Sequence, residues 1–172
     1  MNLPNKLTLI RMILVVPFVL LMLGGHMEWP WFTAIFGGIM EYVDFIALGI
    51  FIVASFTDLF DGYIARKYHL ETNFGKFMDP LADKLLVISA LICMIEVGLV
   101  PGWMVIIIVA RELTVSILRA IAAADGKVIA ASGGGKLKTI TQMLSIIVIL
   151  LGANFNNALL LNIGFILILI AT

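Results

Sequence analysis

The sequence predicts an all-α, polytopic membrane protein: six transmembrane helices in a single domain, residues 1–172, with both termini cytoplasmic. Three observations carry that expectation. The 172 residues are 62% hydrophobic and only 13% charged, with a mean hydropathy of +1.14, whereas soluble domains are about 45 to 50% apolar and about 25% charged. Apolar runs of about 20 residues, enough to cross a ~30 Å hydrocarbon core, recur along the whole length. The cations, in a chain of zero formal net charge, gather on alternate connections.

The spans are expected at residues 8–24, 45–66, 80–98, 101–123, 138–153 and 158–171. Breaker residues or polar runs separate them: Gly24-Gly25, the polar 67–77 stretch, the Gly98 to Gly102 segment, Asp125 to Lys138 with its Gly133-Gly134-Gly135, and Asn154 to Asn157. Lys6 and Arg11 ahead of the first apolar run are also compatible with a signal peptide. No small-x-small cleavage site follows in LMLGGHMEW, so the run is read as a span. Residues 30–40, PWFTAIFGGIM, are apolar but too short to cross, and read as an interfacial lead into the second span. His26 is expected in an outer loop, and Trp29, Trp31, Trp103 and Tyr42 as interface anchors. The single Cys93 excludes an intrachain disulfide, and there is no internal repeat.

Orientation follows from the cations. Lys6, Arg11, Arg66, Lys67, Lys76, Lys84, Lys127, Lys136 and Lys138 lie on or beside the connections that share one side, whereas Glu28, Glu41, Asp44 and Glu96 mark the other. The positive-inside rule puts the first set in the cytoplasm. A nucleic-acid partner is not expected; the partners are membrane lipids and small molecules.

The stretch DLFDGYIARKYHLETNFGKFMDPLAD, from Asp58 to Asp83, is the most polar feature beside the spans. At 100° per residue, Asp58 and Asp61 share one helical stripe, as do Asp79 and Asp83 on the next helix. The short connection lets the two stripes face each other on the cytoplasmic side. Like charges ~5.5 Å apart repel by roughly 3 kcal/mol at an effective dielectric of ~20. The groups therefore protonate, turn apart, or share cations. Two divalent ions would balance four carboxylates, and all-oxygen ligands suit Mg²⁺ or Mn²⁺. Such a site is suited to phosphoryl transfer. The alternative is purely structural, with the aspartates capping helices or pairing with Arg66, Lys67, Lys76 and Lys84. Gly62 and Ala65 keep the same stripe small where a nucleotide could lie, Arg66 offers a forked cation to a phosphate, and Gly75 is expected in the connection before Asp79.

The run Asp58-x-x-Asp61-Gly62-x-x-Ala65-Arg66, then eight residues, then Gly75-x-x-x-Asp79-x-x-x-Asp83 resembles the signature of the CDP-alcohol phosphotransferase family at all its fixed positions. The resemblance implies six transmembrane helices, a homodimer, and two divalent ions, Mg²⁺ or Mn²⁺, on Asp58, Asp61, Asp79 and Asp83. It implies transfer of a phosphatidyl group from CDP-diacylglycerol to an alcohol with release of CMP. Gly62, Arg66 and Thr72 would hold the CDP portion, and Asp83 would also act as the base for the acceptor's proton.

Arg111 lies about nine residues, or ~14 Å, into its helix from Gly102, at mid-bilayer depth, where a charge normally faces a polar cavity. With Arg119, Lys136 and Lys138 it forms a set of cations expected to converge beside the metal site and suited to an acceptor carrying a phosphate. The flanking NLPNKLTLIR, ARELTVSILR and GKLKTITQM runs resemble the bacterial phosphatidylglycerophosphate synthase branch, which implies sn-glycerol 3-phosphate as acceptor, Asn5 and Thr8 near the nucleotide, and a bacterial plasma membrane location with a cytoplasmic active site. Members of the branch continue past the sixth span into a charged tail, so a truncated carboxyl terminus is expected. The competing expectations are a transferase using inositol phosphate or serine, and a divalent-cation transporter. The absence of a repeat and of an outer acidic path weighs against transport.

Overall fold

The computed structural model describes residues 3–27, 29–67, 73–124 and 133–171, with side chains over residues 5–27, 29–57, 78, 81–122 and 137–171. The described residues are helical apart from short turns at 27 and 29, 97–101 and 155–157, and none of them is in a strand. Among the described residues six long helices overlap the expected spans, with α1, α4 and α6 beginning five to seven residues earlier than expected: α1 (Leu3–His26), α3 (Val43–Lys67), α4 (Asn73–Glu96), α5 (Gly102–Ala124), α6 (Gly133–Asn154) and α7 (Ala158–Ala171). The apolar 30–40 stretch forms the short α2 (Pro30–Phe36) and a 3₁₀ segment (Gly37–Tyr42) that runs directly into α3. Ile39, at φ −123° and ψ 16°, marks the kink between them.

Among the described residues, three stretches are long and apolar enough to cross a membrane: Asn5–His26, Pro30–Thr57 and Leu137–Asn154. The other long helices differ for visible reasons. Charged residues interrupt α4 and α5, and α7 has 14 residues, about 21 Å at 1.5 Å per residue.

The chain folds as two compact units, Met1–Val97 and Gly98–Thr172. In the first, α1 packs against both α3 and α4. Val15, Phe18 and Met22 on α1, Ala47, Phe51 and Ala54 on α3, and Leu86, Ala90 and Met94 on α4 are all buried. Their spacing of three or four residues makes one apolar stripe per helix, and the small alanines allow close backbone approach. The ring centroids of Phe18 and Phe51 are 5.7 Å apart. His26 and Asp44 approach to 3.7 Å where α1 ends and α3 begins. These two contacts make the helices antiparallel and fix their register. His26 therefore belongs to the last turn of α1, where Nδ1 lies 3.0 Å from the Met22 carbonyl oxygen, and not to a loop as its neighbouring glycines suggested. Gly24 is needed because the Phe32 ring lies where a Cβ would project, which lets α2 fold back on α1.

In the second unit α6 and α7 form a tight hairpin. Asn156 adopts φ 48°, and the Asn157 side-chain oxygen accepts from the Leu159 and Leu160 amides at 3.0 and 3.3 Å, capping α7. Gly164 lies against Ile149, and a Cβ on Gly152 would come within 2.8 Å of the Leu161 nitrogen, so neither position has room for a side chain. The expected break at Gly133-Gly134-Gly135 is instead the first turn of α6. First-turn amides lack intrahelical acceptors in any helix, so glycine there disrupts little.

Candidate functional site

Asp58, Asp61, Gly62, Ala65 and Arg66 all lie on α3, and Gly75, Asp79 and Asp83 on α4. Each aspartate pair thus shares one continuous helix, as the stripe argument requires. Gly75 stands in the first turn of α4 rather than in the connection, because the helix begins at Asn73. Thr72 lies outside the described residues. Asp61 is six residues before the end of α3 at Lys67, and Asp79 six after the start of α4 at Asn73. Both are about 9 Å along their helices from the ends that the 68–72 connection joins. Asp58 and Asp83 follow at nine and ten residues, about 14 and 15 Å. The four carboxylate-bearing positions therefore form two levels on the α3/α4 pair, whose helices touch. Among the four, Asp83 has a described side chain, and it is half-buried.

α1 supplies the third wall of this end of the unit. Counting seven residues back from Phe18 and seven forward from Phe51 sets Arg11 level with Asp58. The same register sets Thr8 level with Asp61 and Asn5 level with residues 64–65, beside the Gly62 to Ala65 stretch. Asn5, Thr8 and Arg11 are all buried. Sequence reasoning took Arg11 only as an inside cation. The signal available was three polar residues at i, i+3 and i+6 at the start of an apolar span.

In the second unit, Arg111 and Arg119 lie on α5, and Lys136 and Lys138 on α6. Arg111 and Arg119 are exposed and Lys138 is largely buried; the Lys136 side chain is not among those described. Lys138 Nζ donates to Glu112 Oε1, tying α6 to α5, and Arg111 Nη1 donates to the same oxygen at 2.9 Å. Glu112 is therefore the organising residue of this cluster. As a lone acidic residue beside Arg111 in the sequence, it gave no sign of a partner 26 positions away.

Aspartate, a residue type whose oxygens suit hard divalent ions, stands at four positions on two helices that touch, two on each.

Comparison with known proteins extends this reading. A relative in Bacillus subtilis (strain 168), a CDP-diacylglycerol--glycerol-3-phosphate 3-phosphatidyltransferase, is 48% identical over 151 residues, covering 87% of this chain and 77% of that protein. A probable phosphatidylglycerophosphate synthase of Mycobacterium tuberculosis (strain ATCC 25618 / H37Rv) is 43% identical over 145 residues, 84% of this chain and 64% of that protein. A Rickettsia typhi protein with the same name as the Bacillus relative is 38% identical over 162 residues, 94% of this chain and 83% of its own length. The model of one family, described as CDP-alcohol phosphatidyltransferase, matches residues 1–171. With its aspartates paired on α3 and α4 and a family match over almost every residue, the chain belongs to the CDP-alcohol phosphatidyltransferase family.

Proposed function

We propose that this protein transfers the phosphatidyl group of CDP-diacylglycerol to sn-glycerol 3-phosphate, giving phosphatidylglycerophosphate and CMP. The observation that supports it most is the placing of Asp58, Asp61, Asp79 and Asp83 at two matched levels of the α3/α4 pair. The names of the Bacillus and Rickettsia relatives support the choice of donor and acceptor. The setting is the bacterial plasma membrane, crossed by six helices, with both termini and the aspartates on the cytoplasmic side. Residues 1–172 serve as one functional domain, and the working form is a homodimer.

The chemistry is in-line displacement at the β-phosphorus of CDP-diacylglycerol. The acceptor's hydroxyl oxygen bonds to that phosphorus as its bond to the oxygen shared with the α-phosphorus breaks, and CMP leaves with the shared oxygen. Asp83 receives the hydroxyl proton, a role suited to a carboxylate at the deeper level of the site. Asp58, Asp61, Asp79 and Asp83 would hold two divalent ions, Mg²⁺ or Mn²⁺, which when bound offset the charge of the diphosphate and of the leaving CMP. Arg66 and Thr72 hold the CDP phosphates and sugar, while Gly62, Ala65 and Gly75 leave room for the nucleotide. Asn5 and Thr8, buried on α1 level with that stretch, orient it. Arg111, Arg119, Lys136 and Lys138 bind the acceptor's phosphate.

The test is CMP release from CDP-diacylglycerol by purified protein in detergent with Mg²⁺ or Mn²⁺. Release that requires sn-glycerol 3-phosphate, metal and Asp83 is the expected result. Release with inositol phosphate or serine instead would retain the metal site and overturn the acceptor. No release by folded, metal-binding protein with any acceptor would overturn the transferase reading.

A further inference from the structure

Arg11 is 0% exposed, in the half of α1 that the register with α3 sets level with the Asp58 to Asp61 stretch. A guanidinium removed from water needs charged or hydrogen-bonding partners, since an uncompensated ion in a low-dielectric setting is strongly unfavourable. The register set by Phe18 with Phe51 puts Arg11 level with Asp58, and His26 with Asp44 puts it level with Leu59. Its helix also packs against α4, which carries Asp79 and Asp83. Arg11 is enclosed by the protein itself. Arg111, by contrast, has a side chain 42% exposed and open to an anion.

We propose that Arg11 is a built-in counter-charge of the aspartate site: a positioning residue that offsets part of the carboxylate repulsion before any metal binds. The proposal rests on the metal-binding reading given above. Arg11 lets α1, α3 and α4 pack while the site lacks ions, and as a fixed positive charge it weakens the affinity of the site for divalent cations. It therefore keeps the metals exchangeable, so that stability does not depend on their presence.

The test is Mn²⁺ titration of detergent-purified protein followed by electron paramagnetic resonance of free Mn²⁺, with thermal unfolding recorded in Mn²⁺ and in EDTA. Arg11→Gln is expected to tighten Mn²⁺ binding by about threefold or more, since one repelling charge is gone. It is also expected to enlarge the rise in Tm that Mn²⁺ produces. Arg11→Lys, which keeps the charge, is expected to bind Mn²⁺ within about twofold of wild type. If Arg11→Gln folds only in Mn²⁺ and unfolds in EDTA, the proposal is supported; equal loss of fold in both would overturn it. Unchanged or weaker Mn²⁺ binding by folded Arg11→Gln, beside normal binding by wild type, would overturn it alone. Failure of wild type to bind Mn²⁺ would overturn the metal-binding reading and this proposal together.

Discussion

Glu112 Oε1 accepts from Lys138 Nζ across 26 positions of sequence and from the Nη1 of its neighbour Arg111 at 2.9 Å. Two of the cations assigned to the acceptor's phosphate are thus held by one carboxylate. The Lys138 side chain is only 10% exposed, so the α5 to α6 link is its main compensation among the interactions described. A glutamate in a cation cluster looks counterproductive for binding an anion. Here it fixes the positions of the cations while leaving the trio a net positive charge.

Glu112→Gln should therefore weaken acceptor binding although it removes a negative charge. The expected outcome is a KM for sn-glycerol 3-phosphate raised by roughly tenfold, about 1.4 kcal/mol, with KM for CDP-diacylglycerol little changed. Steady-state kinetics with each substrate varied in turn would check this. A lowered acceptor KM would mean that Glu112 acts mainly as a competitor for the cations.

Asp83→Asn keeps the shape of the side chain and removes its capacity to take a proton. CMP release should fall by about 10²-fold or more, with thermal unfolding near that of wild type. Single-turnover assays at saturating acceptor would separate this loss from weaker binding. Activity within a few-fold of wild type would rule Asp83 out as the base.

Gly164→Val should destabilise the α6/α7 hairpin by about 1 to 3 kcal/mol, the usual range for overpacking, because Ile149 occupies the space its side chain would need. Gly37→Ala is the matched control, since nothing lies within 4 Å of a Cβ there. Thermal unfolding in one detergent should show a lowered midpoint for the first and little change for the second.

The Phe18 and Phe51 rings should be energetically coupled. A double-mutant cycle to alanine is expected to give a coupling of about 0.5 to 1.5 kcal/mol in unfolding free energy, typical of aromatic pairs. A coupling near zero would mean that the rings merely share a buried region.

Much of this architecture was legible in the sequence, for identifiable reasons. Apolar runs bounded by glycine and asparagine located the long helices, because hydrophobic length and breaker residues act locally. The pairing of Asp58 with Asp61 and of Asp79 with Asp83 was readable because helical periodicity converts spacing into a face. Gly75 and Gly133 were misjudged as breaks because glycine tolerates a first helical turn as readily as a connection. Arg11 and Glu112 were missed for a different reason. Their importance depends on which helices lie beside them, and that is set by Phe18 meeting Phe51 and Lys138 meeting Glu112. The matched depths of the aspartates became countable only once the ends at Lys67 and Asn73 were known.

The contact between Phe18 and Phe51 also constrains how this gene can change in length. Removing one codon between Met12 and Pro17 would turn Asn5, Thr8 and Arg11 by about 100° around α1 and shift them about 1.5 Å along it, relative to everything beyond Phe18. The buried polar stripe would then point elsewhere, although no polar residue had been lost. Point substitutions in this half of α1 leave its phase intact, whereas single-residue insertions and deletions do not. Length variation is better accommodated beyond His26, where α1 has ended and the ring contact no longer counts residues.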